Sequence, residues 1–300
     1  MKKTIIAAAI AASVAAPAAF AEVSIYGKAH LALEQSDDLA GADNIDSNAS
    51  RFGIKVSEDL GNGLNSFVKF EFGADAIDGD NGLTARDAIM GLKGDFGTLT
   101  VGRMASPAKA VLYGTGNVQL ADANNGNDFA GGFVSKGTRV SNAVAYGTKV
   151  GGVGLTVATV GDDAGDNFAH NAFAVSTDVA GAHIALAKVN YGDATADLTV
   201  LGAKMSMDAL TVAVVYEDQD ATTSTTGVSL SYAMGNNVVS ASTSTREFDA
   251  AGTADTDRMA FGIEHKLSKK TSVYASYADV DTGTAASSGD VTSVGMIVNF

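Results

Sequence analysis

The chain ends in VGMIVNF at residues 294–300, where apolar side chains at every second position lead to a terminal phenylalanine. Those side chains belong to Val294, Met296, Val298 and Phe300. Successive side chains of a β-strand point to opposite faces, so this spacing predicts a strand with one apolar face. The same period of two recurs upstream, at residues 52–56, 68–72, 228–234 and 259–267. Helical spacing is scarce by comparison, which indicates an all-β chain.

The connections between the predicted strands alternate in length. Short turns rich in Gly, Asn or Asp, such as Gly61-Asn62-Gly63, alternate with longer acidic connections, such as residues 34–49. This alternation is typical of a closed, up-and-down antiparallel β-barrel with one plain end and one elaborated end. An even number of strands of about ten residues each would cross a bilayer and let the last strand pair with the first. Sixteen strands are predicted, at about residues 22–33, 50–59, 64–74, 85–94, 97–104, 138–149, 154–162, 170–179, 182–191, 196–206, 209–219, 225–234, 237–247, 257–267, 271–280 and 290–300.

The composition excludes several classes of protein. The 300 residues carry a formal net charge of −14 and include no cysteine. A strong acidic excess argues against nucleic-acid binding, which needs clustered Lys and Arg. Without cysteine there is no disulfide framework, thiolate zinc site or iron–sulfur cluster. The histidines His30, His170, His183 and His265 are scattered without metal-ligand spacing, so we expect no cofactor, no bound metal and no enzymatic activity.

Residues 1–21 are predicted to be a secretory signal peptide, which leaves 22–300 as the mature barrel. A positive start at Lys2-Lys3 precedes an almost wholly apolar run from Ile5 to Ala16, and Ala19-Phe20-Ala21 fits a cleavage site. Later apolar runs are far shorter than the roughly 20 residues of a spanning helix. Export, the alternating loops and the terminal phenylalanine favour a transmembrane barrel over a soluble β-sandwich, which would show similar periodicity.

Several motifs occur in order along the chain. They are Ile25-Tyr26-Gly27-Lys28, Ser50-Arg51-Phe52-Gly53-Ile54-Lys55, Glu58-Asp59-Leu60-Gly61-Asn62-Gly63-Leu64, Ala85-Arg86, Gly91-Leu92-Lys93-Gly94, Phe96-Gly97-Thr98-Leu99-Thr100-Val101-Gly102-Arg103, and Arg139 with Asn142 and Tyr146. In this order and spacing, the chain resembles the Gram-negative general diffusion porins. The likeness is sharpest in the first half and lies mainly in strand rhythm beyond about residue 150.

The resemblance implies a trimeric barrel integral to the bacterial outer membrane. It implies a water-filled channel for passive diffusion of ions and small hydrophilic solutes. It further implies contact with lipopolysaccharide and outer-membrane lipid, and insertion by the barrel-assembly machinery, with Phe300 as the insertion signal. Two alternatives stay open: a substrate-specific channel, and a non-conducting structural or adhesive barrel.

Basic residues are predicted to line one wall of the lumen. Strand parity, the alternation of side chains between the two faces of a strand, indicates which residues point inward. It places Lys28, Arg51 and Arg139 on the inward side, opposite the apolar positions of their strands. The family resemblance adds Arg86, for which parity is uninformative. Arg103 has outward parity, and the resemblance suggests a trimer contact. Small outward residues, Gly27 and Ala29, are predicted to allow close approach between subunits.

The connection at 105–137 is much longer than the others, and such loops are usually functional or disordered. The resemblance implies a third extracellular loop that folds into the barrel and sets acidic residues against the basic wall. Asp128 matches the acidic loop tip of the family, and Asp122 is the candidate for the second acid. Opposed charges in a narrow aqueous pore create a transverse field that sets ion preference. The wall cations favour anions at the constriction, whereas the acidic excess favours cations at the mouth.

Overall fold

The computed structural model describes residues 21–37, 44–74, 82–116, 133–161, 170–192, 196–284 and 288–300. The predicted signal peptide therefore lies almost wholly outside the described residues. In those that are described, no helix is long and apolar enough to cross a membrane. The described strands are β1 (Glu22–Asp37), β2 (Asn44–Ser47), β3 (Arg51–Gly61), β4 (Leu64–Ala74), β5 (Leu83–Gly94), β6 (Gly97–Ala105), β7 (Arg139–Val150), β8 (Val153–Val160), β9 (His170–Val179), β10 (Ala182–Asn190), β11 (Leu198–Met207), β12 (Leu210–Gln219), β13 (Thr223–Met234), β14 (Asn237–Phe248), β15 (Thr256–Lys266), β16 (Thr271–Asp281) and β17 (Gly289–Asn299). An α-helix, α1 (Pro107–Thr115), and a 3-10 helix, Val134–Gly137, lie between β6 and β7.

These strands form one closed antiparallel barrel. From β3 to β17 each strand pairs with the next, and β1 closes the ring by pairing with β17 on one side and with β2 and β3 on the other. Because β2 and β3 follow one another along the same edge of β1, they act as one barrel strand, and the barrel has 16 strands. Closure pairs backbone groups that an open edge would leave exposed to lipid.

The predicted strand order and number are confirmed, with one difference. Strand β1 extends to Asp37, and β2 lies within the stretch 34–49 that the sequence predicted as an acidic connection. In β2, Ile45 pairs with Leu33, so this part of the connection continues the β1 ladder. The acidic composition of this segment is typical of a loop, but pairing with β1 stabilises it as a short strand.

Residues that are paired in an antiparallel ladder lie on the same face of the sheet. The strand registers therefore show, from one strand to the next, which residues share a face of the barrel. One face holds large exposed apolar side chains, including Ile25 at 69 % and Leu33 at 62 % exposure. The other face holds Lys28 at 8 % and His30 at 0 % exposure. The same registers place the helix-covered positions Ala187 and Val189 on the second face, which is therefore the inner face.

Helix α1 occupies the inside of the barrel. Its start is fixed by Ser106, whose hydroxyl accepts the Lys109 backbone N–H at 3.1 Å, and by Pro107 in the first turn. The helix buries Val111 and Leu112 against inner residues of β10 to β12. Apolar packing thus holds the start of the long connection 105–137 against the barrel interior.

Phe300 extends the contact at the barrel seam, the line where β17 meets β1. The backbone N–H groups of Gly27 and Phe300 each donate to the other's carbonyl at 3.1 Å, and a Cβ on Gly27 would overlap the Phe300 ring. The phenylalanine fills the space that glycine leaves on the outer face. Gly27 therefore offers no bare surface for close approach between subunits, contrary to the expectation from its size alone.

Candidate functional site

A cluster of charged side chains on β4, β5 and β7 centres on Glu71. Its Oε1 accepts from Arg86 Nε at 2.6 Å, and its Oε2 accepts from the Tyr26 hydroxyl at 2.8 Å. Lys69 Nζ lies 3.4 Å from Oε2, and Arg139 Nη2 lies 3.8 Å from Oε1. The Glu71 side chain is only 8 % exposed, so its charge is compensated by several cations rather than by bulk water.

Asp87 is the second carboxylate of this cluster. Its Oδ2 lies 2.5 Å from Lys69 Nζ, and its Oδ1 accepts from Arg139 Nε at 2.8 Å. Lys69 and Arg139 therefore bridge the two carboxylates. Charge-assisted bonds of this kind fix long side chains in one arrangement.

A β-bulge explains why parity was uninformative for Arg86. Phe70 pairs with Ala88, but Phe72 pairs with Ala85, so β5 has one residue more than β4 in this segment. The guanidinium of Arg86 and the carboxylate of Asp87 consequently reach the same inner cluster, although the residues are adjacent. A bulge redirects side chains in this way.

Arg51 and Lys28 lie on the same inner face as this cluster. The two residues lie opposite each other in the ladder between β1 and β3, and Lys28 is buried. Arg51 Nη1 donates to the carbonyl of Ala49 at 3.3 Å, and no carboxylate within the described ranges forms an ion pair with it. Lys55 adds another inner cation, 4.4 Å from the centre of the Tyr26 ring. A cavity of about 450 Å³, lined in part by Ser50, Gly73 and Arg86, borders this wall.

The structure thus brings Arg86 and Arg139 together and places Lys28 and Arg51 on the same face. Arg103 lies apart from them, with Nη1 donating to the Ser141 hydroxyl at 2.9 Å. The predicted loop acids, Asp122 and Asp128, lie outside the described residues. The roles assigned to these residues from the sequence stay predictions.

Sequence reasoning missed the carboxylates of the wall. Lys69 and Glu71 alternate with the apolar Val68, Phe70 and Phe72, so parity alone could have found them. The inward direction of the Asp87 side chain depends on the bulge, which no local sequence pattern predicts. The wall is therefore a salt-bridge network with an excess of cations rather than a purely basic surface.

Glu217, also missed, anchors the end of the long connection on the opposite side. It lies on the inner face of β12 and is 1 % exposed. Its carboxylate accepts the backbone N–H groups of Val134 at 2.5 Å and Ser135 at 2.9 Å. Nearby, a Cβ on Gly202 would overlap the Thr115 side chain, so this glycine forms a notch for the end of α1. Both ends of the connection are therefore fixed to inner residues of β11 and β12.

Comparison with known proteins agrees with the closed 16-stranded barrel. A family model described as Gram-negative porin matches residues 7–285. The chain belongs to the Gram-negative porin family. Like the outer-membrane proteins of this family, it is integral to the bacterial outer membrane.

Individual relatives match over a shorter range. The chain is 36 % identical over 135 residues to the major outer membrane protein P.IB of Neisseria meningitidis, covering 42 % of this chain and 39 % of that protein. It is 34 % identical over 119 residues to P.IB of Neisseria gonorrhoeae, covering 36 % of this chain and 34 % of that protein. These matches span less than two fifths of the length of the curated relatives.

Solved porins share the whole fold at low sequence identity. An anion-selective porin from Comamonas acidovorans superposes with a TM-score of 0.77 at 22 % identity, covering 94 % of this chain and 100 % of that chain. OmpF of Salmonella typhi, in complex with daunomycin, gives a TM-score of 0.75 at 17 % identity, covering 93 % and 97 %. At this identity the likeness concerns the fold alone. Family and fold together point to a channel rather than an enzyme.

Proposed function

We propose that this porin forms a water-filled channel through which ions and small hydrophilic solutes diffuse passively. The observation that carries the proposal is the charged inner face of β3 to β7, which faces a barrel that α1 fills only in part. A cavity of about 590 Å³ lies between α1 and the inner faces of β5 to β10, lined in part by Lys93, Lys149 and Thr156. Charged and hydroxyl side chains around such a space hold water rather than exclude it.

The channel is narrowed by the long connection, with a field between its acids and the basic wall. Support comes from the fixed ends of that connection, which hold α1 and the 3-10 helix inside the barrel. Lys28, Arg51, Arg86 and Arg139 supply the positive side of the field, and Asp122 and Asp128 supply the negative side. A narrow pore screens charge poorly, so a few charges near the constriction outweigh many at the mouth.

We expect a preference for anions at the constriction. Among the described residues of this wall, inner cations outnumber the two ion-paired carboxylates, Glu71 and Asp87, and Arg51 forms no ion pair with a carboxylate there. The fold neighbour from Comamonas acidovorans is itself described as an anion-selective porin. Reversal potentials across a salt gradient measure the preference directly.

Planar-bilayer recording of the purified protein tests the channel. We expect stepwise conductance that grows with bulk salt and is not blocked by a single solute. Absence of conductance in protein that is demonstrably folded would favour the non-conducting barrel. Block by one solute at low concentration would favour a substrate-specific channel instead.

We also propose a homotrimer that contacts lipopolysaccharide and outer-membrane lipid and is inserted by the barrel-assembly machinery, with Phe300 as its signal. One fold neighbour, OmpT of Vibrio cholerae, is described in a trimer form. Arg103, outside the lumen cluster, is the candidate trimer contact. Unheated electrophoresis should show an oligomer that dissociates on boiling, and an Arg103→Glu variant should dissociate at a lower temperature.

A further inference from the structure

The cavity of about 590 Å³ beside α1 has two chemically different sides. The helix side is apolar, and Pro107, Ala110 and Val111 border the space there. Ala110 is exposed, and a Cβ on Gly114, one turn later, would meet nothing within 4 Å, so this helix surface is open. The opposite side is the inner wall of β5 to β9, near the short turn that follows β5. We call this space the α1 recess, and its polar wall residues are Lys93, Thr98, Lys149, Thr156 and Ser176.

The wall of the recess is built from two rows of residues that lie opposite one another in the strand ladders. The rows consist of Lys93, Thr98, Gly147 and Thr156, and of Lys149, Gly154 and Ser176. They continue to Ala187 and Ala185, which pack against α1, so both rows belong to the inner face. Gly147 and Gly154 carry no side chain, and a Cβ on Gly154 would lie only 2.8 Å from Ser176 Oγ. The hydroxyl groups of the two rows form no side-chain hydrogen bond with another described residue, so they are available to a ligand.

Lys93 and Lys149 are exposed, and both border the recess. Within the described ranges, neither lysine forms an ion pair, a side-chain hydrogen bond or a cation–π contact. Lys69 differs, since it contacts the carboxylates of Glu71 and Asp87. Strands β5 and β7 are separated by one strand, hence by about 10 Å, and lysine carries its charge on a flexible four-carbon stem. Both ammonium groups are therefore available to one anion in the recess.

Two other ionisable groups border the recess, and they leave it with a positive balance. Asp95, in the turn between β5 and β6, offsets the charge of one of the two lysines. His183 Nδ1 lies 2.8 Å from Asp178 Oδ1, so a carboxylate of its own accompanies any charge on this ring. The lysines therefore exceed the acid by one unit of charge.

We propose that the α1 recess binds small organic anions that carry one carboxylate on an apolar body. A single carboxylate matches the net positive charge and accepts from the lysines and from the wall hydroxyl groups. The apolar body lies against the helix surface around Ala110, where it leaves contact with water. An inorganic anion would use only the wall, and a neutral molecule of the same shape only the helix, so each would bind more weakly. The inference rests on the proposed channel, through which the anion reaches the recess, and it adds a class of solute that the channel retains.

Benzoate at neutral pH is the probe, because it joins one carboxylate to an apolar ring. Equilibrium dialysis of labelled benzoate against the detergent-solubilised protein measures binding without any current. In planar bilayers at constant ionic strength, benzoate should also reduce the chloride current in part and in a saturable manner. Formate, which lacks the apolar body, and benzyl alcohol, which lacks the charge, should each displace labelled benzoate only at concentrations at least about fivefold higher than benzoate itself.

Lys93→Met and Lys149→Met keep the length of the side chain and remove its charge, so each should raise the half-saturating benzoate concentration about threefold. Ala110→Glu should weaken binding more strongly, because its carboxylate repels the anion and occupies the place of the apolar body. Lys266→Met is the matched control, since Lys266 lies at the short-turn end of the inner face of β15, outside the recess. It should leave benzoate affinity unchanged.

Heat-modifiable mobility checks that every variant folds. Saturable dialysis binding without conductance would support the site while refuting the channel. Normal conductance without saturable benzoate binding would overturn the site and leave the channel standing. Equal benzoate affinity in the wild type and in both lysine variants would also overturn it, as would displacement by formate or benzyl alcohol at the same concentration as benzoate itself.

Discussion

Removing the charge of Glu71 should make the channel more anion-selective. Glu71→Gln keeps the shape of the side chain and an oxygen that accepts from Arg86 Nε, which lies 2.6 Å from Oε1. The amide NH2 takes the place of Oε2 and can donate to the Tyr26 hydroxyl oxygen, which lies 2.8 Å from Oε2. The substitution removes the negative charge that now offsets Lys69, Arg86 and Arg139. The inner wall therefore becomes more positive by one unit without losing its packing.

The size of the effect follows from Coulomb's law. For a permeating ion roughly 8 Å from the carboxylate, one unit charge contributes about 0.5 kcal/mol with the dielectric constant of bulk water. That changes the local concentration of each ion about twofold in opposite directions, so the anion-to-cation ratio rises about fivefold at low ionic strength. Near 0.1 M salt, with a Debye length of about 10 Å, screening reduces the rise to about twofold.

The assay is the reversal potential across a tenfold potassium chloride gradient, measured at low and at high mean salt. Asp208→Asn is the matched control, because Asp208 lies in the turn between β11 and β12 at a positive φ of 51° that asparagine also tolerates. A shift toward cations, or a shift no larger than that of Asp208→Asn, would show that Glu71 lies outside the field that permeating ions experience.

Three further substitutions test how the barrel holds its internal segment and its seam. Glu217→Ala removes the acceptor of two backbone N–H groups, so open-channel current noise should increase while barrel melting changes little; quiet currents would contradict the anchor. Gly202→Ala should displace the end of α1 and alter conductance, and adding Thr115→Gly should restore it; conductance unchanged by Gly202→Ala alone would refute the notch. Phe300→Ala should lower the temperature of the heat-modifiable mobility shift more than Phe300→Leu, because the ring that covers Gly27 is lost; equal shifts would assign the ring no part in closing the seam.

Much of the barrel could be predicted because its rules are local. Alternation of apolar and small residues sets each strand, and short turns with residues such as Gly61 and Asn62, both at positive φ, set the ends. Closure then follows from the requirement that no strand edge face lipid. Strand β2 was not predicted, because its acidic residues are typical of a loop. Only its pairing with β1 makes it a strand.

The site was less accessible to such reasoning because it depends on contacts between distant strands. Parity placed Lys28 and Arg51 on the inner face, and the family resemblance proposed Arg86. The partners of Arg86 and Arg139 required the bulge opposite Glu71, which is a property of two strands in register. Glu217 gives no local signal, since its partners are backbone groups 82 and 83 residues away in the chain.

The pairing of charges, more than their number, decides what each wall offers a solute. Cations on β4, β5 and β7 are tied to carboxylates, so they shape a steady field but have few donors left for a ligand. Arg246 is oriented by an aromatic ring and a hydroxyl group, so it keeps both its charge and an unsatisfied donor. The ion-paired wall therefore carries charges that partly cancel, whereas Arg246 forms no ion pair with a carboxylate among the described residues. A solute that is to cross must be attracted strongly enough to enter and held weakly enough to leave. Cations that are already paired with carboxylates meet both conditions, because they attract an anion through their excess charge and leave few donors to hold it.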